Sequence, residues 1–162
     1  MTTIETLHAN AQKIQAYLDK HGKTNFQVKS FSSSTRTAQD AADTLGVAIG
    51  AIVKSLLFRT KKTKKPILVL ASGLNRVNEK QLAKLVGEKI ERASADFVKE
   101  VTGFSIGGVP PVAHKQSIRT FIDNDLLSLS ILWAAAGTPN TVFSLTPEEL
   151  LQLSQGECIN VQ

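Results

Sequence analysis

The sequence predicts an α/β domain with a mixed, partly antiparallel sheet flanked by helices, and three observations carry that prediction. Helical and strand-like patterns alternate along the chain without the regular βαβ repeat of a doubly wound sheet. Two apolar runs, residues 52–58 and 67–71, are separated by a short polar segment and read as a hairpin. No internal repeat, linker or low-complexity stretch divides the 162 residues, a length that closes one sizeable core, so residues 1–162 are read as one domain.

Each element has a local reason. Ile4, Leu7, Ala11, Ile14 and Leu18 recur at intervals of three and four, which predicts an amphipathic helix over residues 4–18, ended by His21-Gly22. Residues 27–31 alternate polar and apolar side chains as a strand does, and the polar run 32–35 is a loop. Thr37 caps a helix over 38–45, with Asp40 near the positive end of its dipole and Gly46 just past its C-terminus. A connector, 47–51, leads into the largely buried strand 52–58. Asn78 with Gln81 resembles a capping box for a helix through Val86, closed by Gly87, and a second short helix spans 95–101. Residues 102–114 hold three glycines and the pair Pro110-Pro111, which exclude regular structure over much of the stretch and demand a shaped loop. Strands are expected at 118–122, 130–136 and 141–145, joined by turns at Asp123-Asn124 and Thr138-Pro139-Asn140. Thr146, Pro147 and Glu149 open a final helix as N-cap, N1 proline and N3 glutamate.

Composition narrows the function classes. Aromatic residues are only 6% of the chain, which argues against a single-strand reader built on base stacking. Nineteen Lys and Arg against fourteen Asp and Glu give a net charge of +5, which suits a polyanionic partner and also an ordinary solvated surface. Cys158 is the only cysteine, with no partner for an internal disulfide and no metal-ligand spacing around it, so a reducing cytoplasm and no metal are expected. The N-terminal residues lack the apolar run of a secretory signal, and no stretch approaches the ~20 apolar residues that cross a bilayer. A cytoplasmic protein with no membrane partner is the expectation.

Lys54 interrupts an otherwise apolar run, where a buried ammonium is costly without an anionic partner. Either it projects into a cleft to meet a substrate phosphate or carboxyl-derived oxygen, or it is an edge-strand lysine whose amine snorkels to water. The segment Gly107-Gly108-Val109-Pro110-Pro111 lets a backbone approach a ligand in a fixed shape, and amides held this way stabilise an oxyanion; its bland reading is a tight structural turn. His114, just beyond, is a general base, a substrate contact or a structural group, and no Ser or Asp stands where it would complete a nucleophilic triad. Arg59, Lys61, Lys62, Lys64 and Lys65 make the hairpin tip basic, either as a phosphate-contact patch or as a solvated turn that guards a sheet edge. Ala134-Ala135-Ala136-Gly137 ends a strand with almost no side-chain volume, which floors a small pocket or permits close packing.

These segments together resemble the YbaK/EbsC family and the related editing insertion domain of bacterial prolyl-tRNA synthetases. The resemblance covers nearly the whole chain and rests on Ser34-Thr35-Arg36-Thr37, Ala41-Ala42, Leu45-Gly46, the strand 52–58, Pro66-Ile67-Leu68-Val69-Leu70, Thr102-Gly103-Phe104, Gly107-Gly108-Val109-Pro110-Pro111 and Ala136-Gly137, in that order. It implies a compact domain with a barrel-like mixed sheet, and hydrolysis in trans of tRNA mischarged with a small amino acid. The implied chemistry is attack by a positioned water with help from the terminal ribose hydroxyl, with no cofactor and no protein nucleophile. Lys54, Gly107 and Gly108 become the expected catalytic positions, and Thr35, Arg36, Val109, Pro110, Pro111, His114, Ala135 and Gly137 the expected substrate contacts. Arg59, Lys61, Lys62, Lys64 and Lys65 are the expected nucleic-acid contacts. Mischarged tRNA is the implied partner, an aminoacyl-tRNA synthetase a further one the resemblance allows, and a monomer or weak homodimer the expected state. One departure bears on specificity: Ala135 stands where the family's Cys-tRNA(Pro)-directed member has a serine, so alanine, serine, threonine and 2-aminobutyrate are all open. Two rival readings remain, a non-catalytic module that docks on tRNA or a synthetase through the basic hairpin, and a small-molecule esterase using His114.

Overall fold

The strand Ile52–Thr60 is the axis of the sheet, because its apolar side chains alternate between two buried faces. A computed structural model describes residues 8–21 and 27–162. In chain order the elements are α1 (Ala9–Lys20), β1 (Lys29–Ser30), α2 (Ala38–Leu45), β2 (Ile52–Thr60), β3 (Pro66–Ser72), α3 (Glu79–Val86) and β4 (Ile90–Arg92). They continue with α4 (Ala95–Thr102), β5 (Arg119–Asp123), β6 (Leu132–Ala135), β7 (Thr141–Leu145), α5 (Pro147–Ser154) and β8 (Glu157–Ile159).

The eight strands form one mixed sheet in the order β1-β7-β6-β2-β3-β5-β8, with β4 paired to β2 beside this path. The pairs β1–β7, β2–β3, β2–β4 and β6–β7 are antiparallel, whereas β2–β6, β3–β5 and β5–β8 are parallel. Register assigns the faces. Phe58 stands opposite Ile67 and Leu56 opposite Val69, on the side packed with Phe121 and Leu82. Val53 and Leu57 turn to the other side, where Leu68, Leu70, Ile122, Phe143 and the α1 residues Ile14 and Leu18 form the larger core. Each such side chain contributes roughly 1.5–3 kcal/mol by leaving water.

Local signals mark the helices as expected. Thr37 accepts from Asp40 N (3.0 Å), and α2 ends at Gly46, whose φ of 69° is open to glycine at no cost. The capping box at α5 is complete, with Glu149 N donating to Thr146 Oγ1 (3.2 Å) and Thr146 N to Glu149 Oε1 (2.9 Å). Helix α1 runs from Ala9 with His8 as its N-cap; Ile4 and Leu7, expected on the same helix, lie outside the described residues.

Other expectations need correction. The strand expected over 27–31 is reduced to two residues, and β5 does not turn back at Asp123-Asn124 but enters a 3₁₀ turn, Asn124–Ser128. β5 and β6 are therefore not neighbours: β5 joins β3 and β6 joins β2, both in parallel. Two three-residue strands, β4 and β8, are additions that carry no periodicity of their own. Among the described residues, no helix is long and apolar enough to cross a membrane.

Candidate functional site

A break in the sheet makes the site. On the edge of β2 away from β3, Ile52 and Val53 pair with β6, and Phe58, Arg59 and Thr60 pair with β4. Residues 54–57 between them have no strand alongside among the described residues. Leu57 O still accepts from Ala93 N (3.1 Å) on that edge. Main-chain groups alternate sides along a strand, so Ser55 turns its N–H and C=O into the gap. A cavity of about 330 Å³ opens there, lined by side chains from both faces of β2 where no strand pairs with its edge among the described residues. Its walls come from β2, α2 and the residues before it, Val98 of α4, Ile106, Gly107 and Val109 of the loop, β6, and Val142 of β7.

The structure brings Lys54, Thr35, Arg36, Gly107, Val109 and Ala135 to this one cavity. Lys54 is half-buried, and its Nζ donates to the main-chain oxygen of Asn75 at 2.6 Å, so the amine is not adrift in solvent. Burial lowers its pKa below the ordinary lysine value, the nearby Arg92 lowers it further, Asp123 raises it, and Arg76 lowers it again. Behind the amine, Asp123 is 1% exposed. Its Oδ2 accepts from Ser72 N (3.0 Å) and Asn75 Nδ2 (2.8 Å), and its Oδ1 accepts from Asp125 N (2.9 Å).

The glycines of the loop do different work. A Cβ on Gly107, whose φ is 94°, would sit 2.5 Å from Arg36 Cγ, so the arginine stem lies directly on the loop. A Cβ on Gly108 would sit 2.8 Å from Thr138 N, and Gly108 O accepts from Gly137 N at 2.9 Å. Gly108 thus fastens the loop to the β6–β7 turn from behind. The buried Thr35 is fixed in the same region, its N–H (2.7 Å) and Oγ1 (3.2 Å) both donating to Pro139 O.

Gly108, Pro110, Pro111, His114 and Gly137 are not part of the cavity wall. His114 lies on the far side of the loop, beside Tyr17 and Ser117, and its Nε2–H donates to Pro110 O at 2.7 Å. Burial lowers its pKa, partly opposed by that hydrogen bond, which favours the neutral ring, in which Nδ1 is the acceptor left over. Trp133, Ala134 and Ala135 line the cavity, whereas Ala136 and Gly137 lead out of it.

The basic turn is braced by acids. Arg59 Nε donates to Glu91 Oε2 (2.9 Å), Nη2 reaches the same oxygen, and the guanidinium lies 5.3 Å from the Phe97 ring centre. The hydrogen bond from Arg59 is the main cause holding the Glu91 carboxyl below its ordinary pKa. Glu88 accepts from Lys62 N (3.0 Å), Thr63 N (3.1 Å) and Thr63 Oγ1 (2.7 Å). Arg59 is thereby occupied, while Lys61, Lys62, Lys64 and Lys65 are exposed.

Beside aliphatic wall residues such as Val98, Ile106 and Val142, three polar residues next to Lys54 escaped sequence reasoning. Ser55 lines the cavity and carries a buried Oγ without a hydrogen-bond partner, and Asn75 and Asp123 stand behind Lys54. Polar residues inside or closing apolar strands were the signal: Ser55 interrupts the run 52–58 as Lys54 does, and Asp123 ends 118–122.

Residues 32–153 match the family described as the aminoacyl-tRNA editing domain. The chain belongs to that family. Among curated relatives, the editing domain is 28% identical over 128 residues to EbsC of Enterococcus faecalis, provisionally named a Cys-tRNA(Pro)/Cys-tRNA(Cys) deacylase, covering 78% of this chain and 77% of that one. It is 30% identical over 108 residues to a proline–tRNA ligase of Thermodesulfovibrio yellowstonii, covering 66% of this chain and 19% of the ligase. A crystal structure described as a candidate trans-editing enzyme for prolyl tRNA synthetase superposes with a TM-score of 0.90 at 39% identity, covering 97% of this chain and 99% of the other. As an editing domain of the YbaK/EbsC type, the protein is an aminoacyl-tRNA deacylase, a hydrolase of the ester between amino acid and tRNA.

Proposed function

We propose that this editing domain acts in trans on tRNA carrying a wrongly attached small amino acid, and that the cavity at the β2 edge holds the ester. The observation that carries the reading is the convergence of Lys54, Gly107 and Val109 on one recess whose other walls are largely aliphatic. A recess of about 330 Å³ has room for an aminoacyl group and part of the terminal ribose. Its small residues Ala134 and Ala135 leave space for a short side chain and offer no hydroxyl or thiol partner for one.

Hydrolysis needs a water oxygen to bond to the ester carbonyl carbon while the carbon–oxygen bond to the ribose breaks, the ribose oxygen taking up a proton. In this reading the ribose hydroxyl next to the ester orients the water, and the enzyme positions the partners and stabilises the oxyanion. Lys54 supplies positive charge at the ester or the adjoining phosphate. The Ser55 N–H turned into the gap and the Gly107 main chain supply neutral donors. No protein nucleophile enters this scheme, in keeping with the position of His114 outside the cavity, bonded to the back of the loop. The exposed Lys61, Lys62, Lys64 and Lys65 contact the tRNA backbone, adding affinity without sequence discrimination.

The test is a panel of tRNAs mischarged with alanine, serine, threonine, cysteine and 2-aminobutyrate. Release of at least one amino acid is expected, with the loss of turnover in Lys54→Ala. A panel left intact by the wild-type protein would refute the proposal. Activity that survives in Lys54→Ala, and disappears only when the four exposed lysines are neutralised, would favour a docking module instead.

A further inference from the structure

We infer that Asp123, acting through Asn75, is the positioning residue of Lys54: it fixes the oxygen to which the amine is tied and supplies the counter-charge behind it. The inference rests on the reading that Lys54 acts on the ester, and it assigns to the sheet interior a task that the cavity wall alone does not perform.

A buried carboxylate costs free energy unless its oxygens are satisfied. Asp123, at 1% exposed, is satisfied by three N–H donors, from Ser72, Asn75 and Asp125. All three are neutral, so its negative charge is solvated by hydrogen bonds, and among the described residues no cation forms an ion pair with it. The Asn75 amide lies between two carboxylates, donating to Asp123 Oδ2 (2.8 Å) and to Asp125 Oδ2 (2.7 Å). Both are acceptors only, so both amide hydrogens are committed and the side chain has a single orientation. Asn75 N also donates to Ser72 O (2.9 Å), which closes the turn that leaves β3. Held at its side chain and its amide, Asn75 presents its main-chain oxygen to Lys54 Nζ at 2.6 Å.

The charged groups facing Lys54 come from three directions. Arg92 on β4 and Arg76 after β3 are cations, and Asp123 on β5 is the carboxylate that opposes them. Asp125 joins through Asn75. A direct ion pair with Lys54 would compete with substrate for the amine. A neutral carbonyl as the immediate partner, with the carboxylate one residue removed, leaves the amine tethered yet exchangeable toward an ester or phosphate oxygen. The sign of the electrostatics follows: without Asp123, burial, Arg92 and Arg76 remain, and all three move the Lys54 pKa down.

The test measures Lys54 directly. The intact protein is labelled with trace acetic anhydride across a pH series, and acetylation at each lysine is read by mass spectrometry, with exposed Lys61 and Lys62 as internal references. The Lys54 midpoint is expected below the references in wild type, and lower still in Asp123→Asn. Deacylation by Asp123→Asn should fall about tenfold, as expected for removing one charge-assisted hydrogen bond, mainly in kcat, with its alkaline limb moved to lower pH. Asn75→Ala, which retains the charge but frees the turn, should raise the rate of Lys54 acetylation and lower kcat while KM changes little. It also serves if circular dichroism shows Asp123→Asn unfolded. An unchanged Lys54 midpoint in folded Asp123→Asn, or an unchanged acetylation rate in Asn75→Ala, overturns the inference. A shifted midpoint in a protein that deacylates none of the tRNA panel upholds the positioning and sinks the proposed function instead.

Discussion

Lys54 and the lysines after Thr60 stand near opposite ends of one strand and carry the same charge, yet they live in different solvents. Lys54 is half-buried, tied to a main-chain oxygen, and shifted in pKa by burial and two arginines. Lys61, Lys62, Lys64 and Lys65 stand in water on a turn whose main chain is held by Glu88. In a low-dielectric recess a single charge interacts strongly and must be placed accurately. In water, several charges are needed, and each contributes a weak attraction that salt screens. The sequence shows both as basic residues on a hairpin, and only their surroundings separate the chemical role proposed for the one from the adhesive role proposed for the others.

Lys54→Ala should break the comparison most sharply, lowering single-turnover deacylation by roughly 10²–10³-fold, the cost of removing one oxyanion-stabilising donor. Its melting temperature should hardly fall. Next come the loop glycines. Gly108→Ala forces a Cβ to 2.8 Å from main-chain Thr138 N, where nothing yields cheaply, and should cost about 1–3 kcal/mol in urea denaturation. Gly107→Ala meets the flexible Arg36 stem instead, although its φ of 94° adds strain, so its larger effect should be on turnover.

Replacing Lys61, Lys62, Lys64 and Lys65 by Gln sharpens the other side. Binding of tRNA should weaken, and the slope of log affinity against log salt should flatten by up to about 0.9 for each phosphate that is no longer neutralised. Turnover at saturating tRNA should persist. The smallest effect concerns His114. Its folded-state pKa lies below the ordinary value of 6.5, so it is neutral in the fold where the unfolded chain would already bind a proton. Its contribution to stability is therefore complete above that value and fades as pH falls through the folded pKa. Urea midpoints at mildly acid and neutral pH should differ less in His114→Gln than in wild type.

How much of this was legible depends on the range over which each signal acts. The caps at Thr37 and Thr146 and the hairpin of β2 with β3 are local, and they stand where the sequence places them. The parallel pairings of β5 and β6, and the short strands β4 and β8, depend on partners distant along the chain, which leave no periodicity to read. At the site, Lys54 and Gly107 were visible as oddities, a cation among apolar residues and a glycine in a proline-stiffened loop. The position of His114 was not, because nearness to a loop in sequence does not say which side of it a ring takes. In the sequence Asp123 reads as a turn residue, since two of its three donors come from the β3 end and the turn beyond it, some fifty residues away.

The gap beside residues 54–57 has a mechanical corollary. Its width is set by where β6 and β4 each part from β2, and ladder bonds to β3 hold β2 along its other side. Along the β2 edge the recess is bounded by a main chain held in its ladder, whose peptide groups cannot swing aside, whereas the facing Arg36 and Ile106 side chains can change rotamer. If the recess holds the ester as proposed, this sheet edge is the fixed side of the gauge against which a short or a long acyl group is measured.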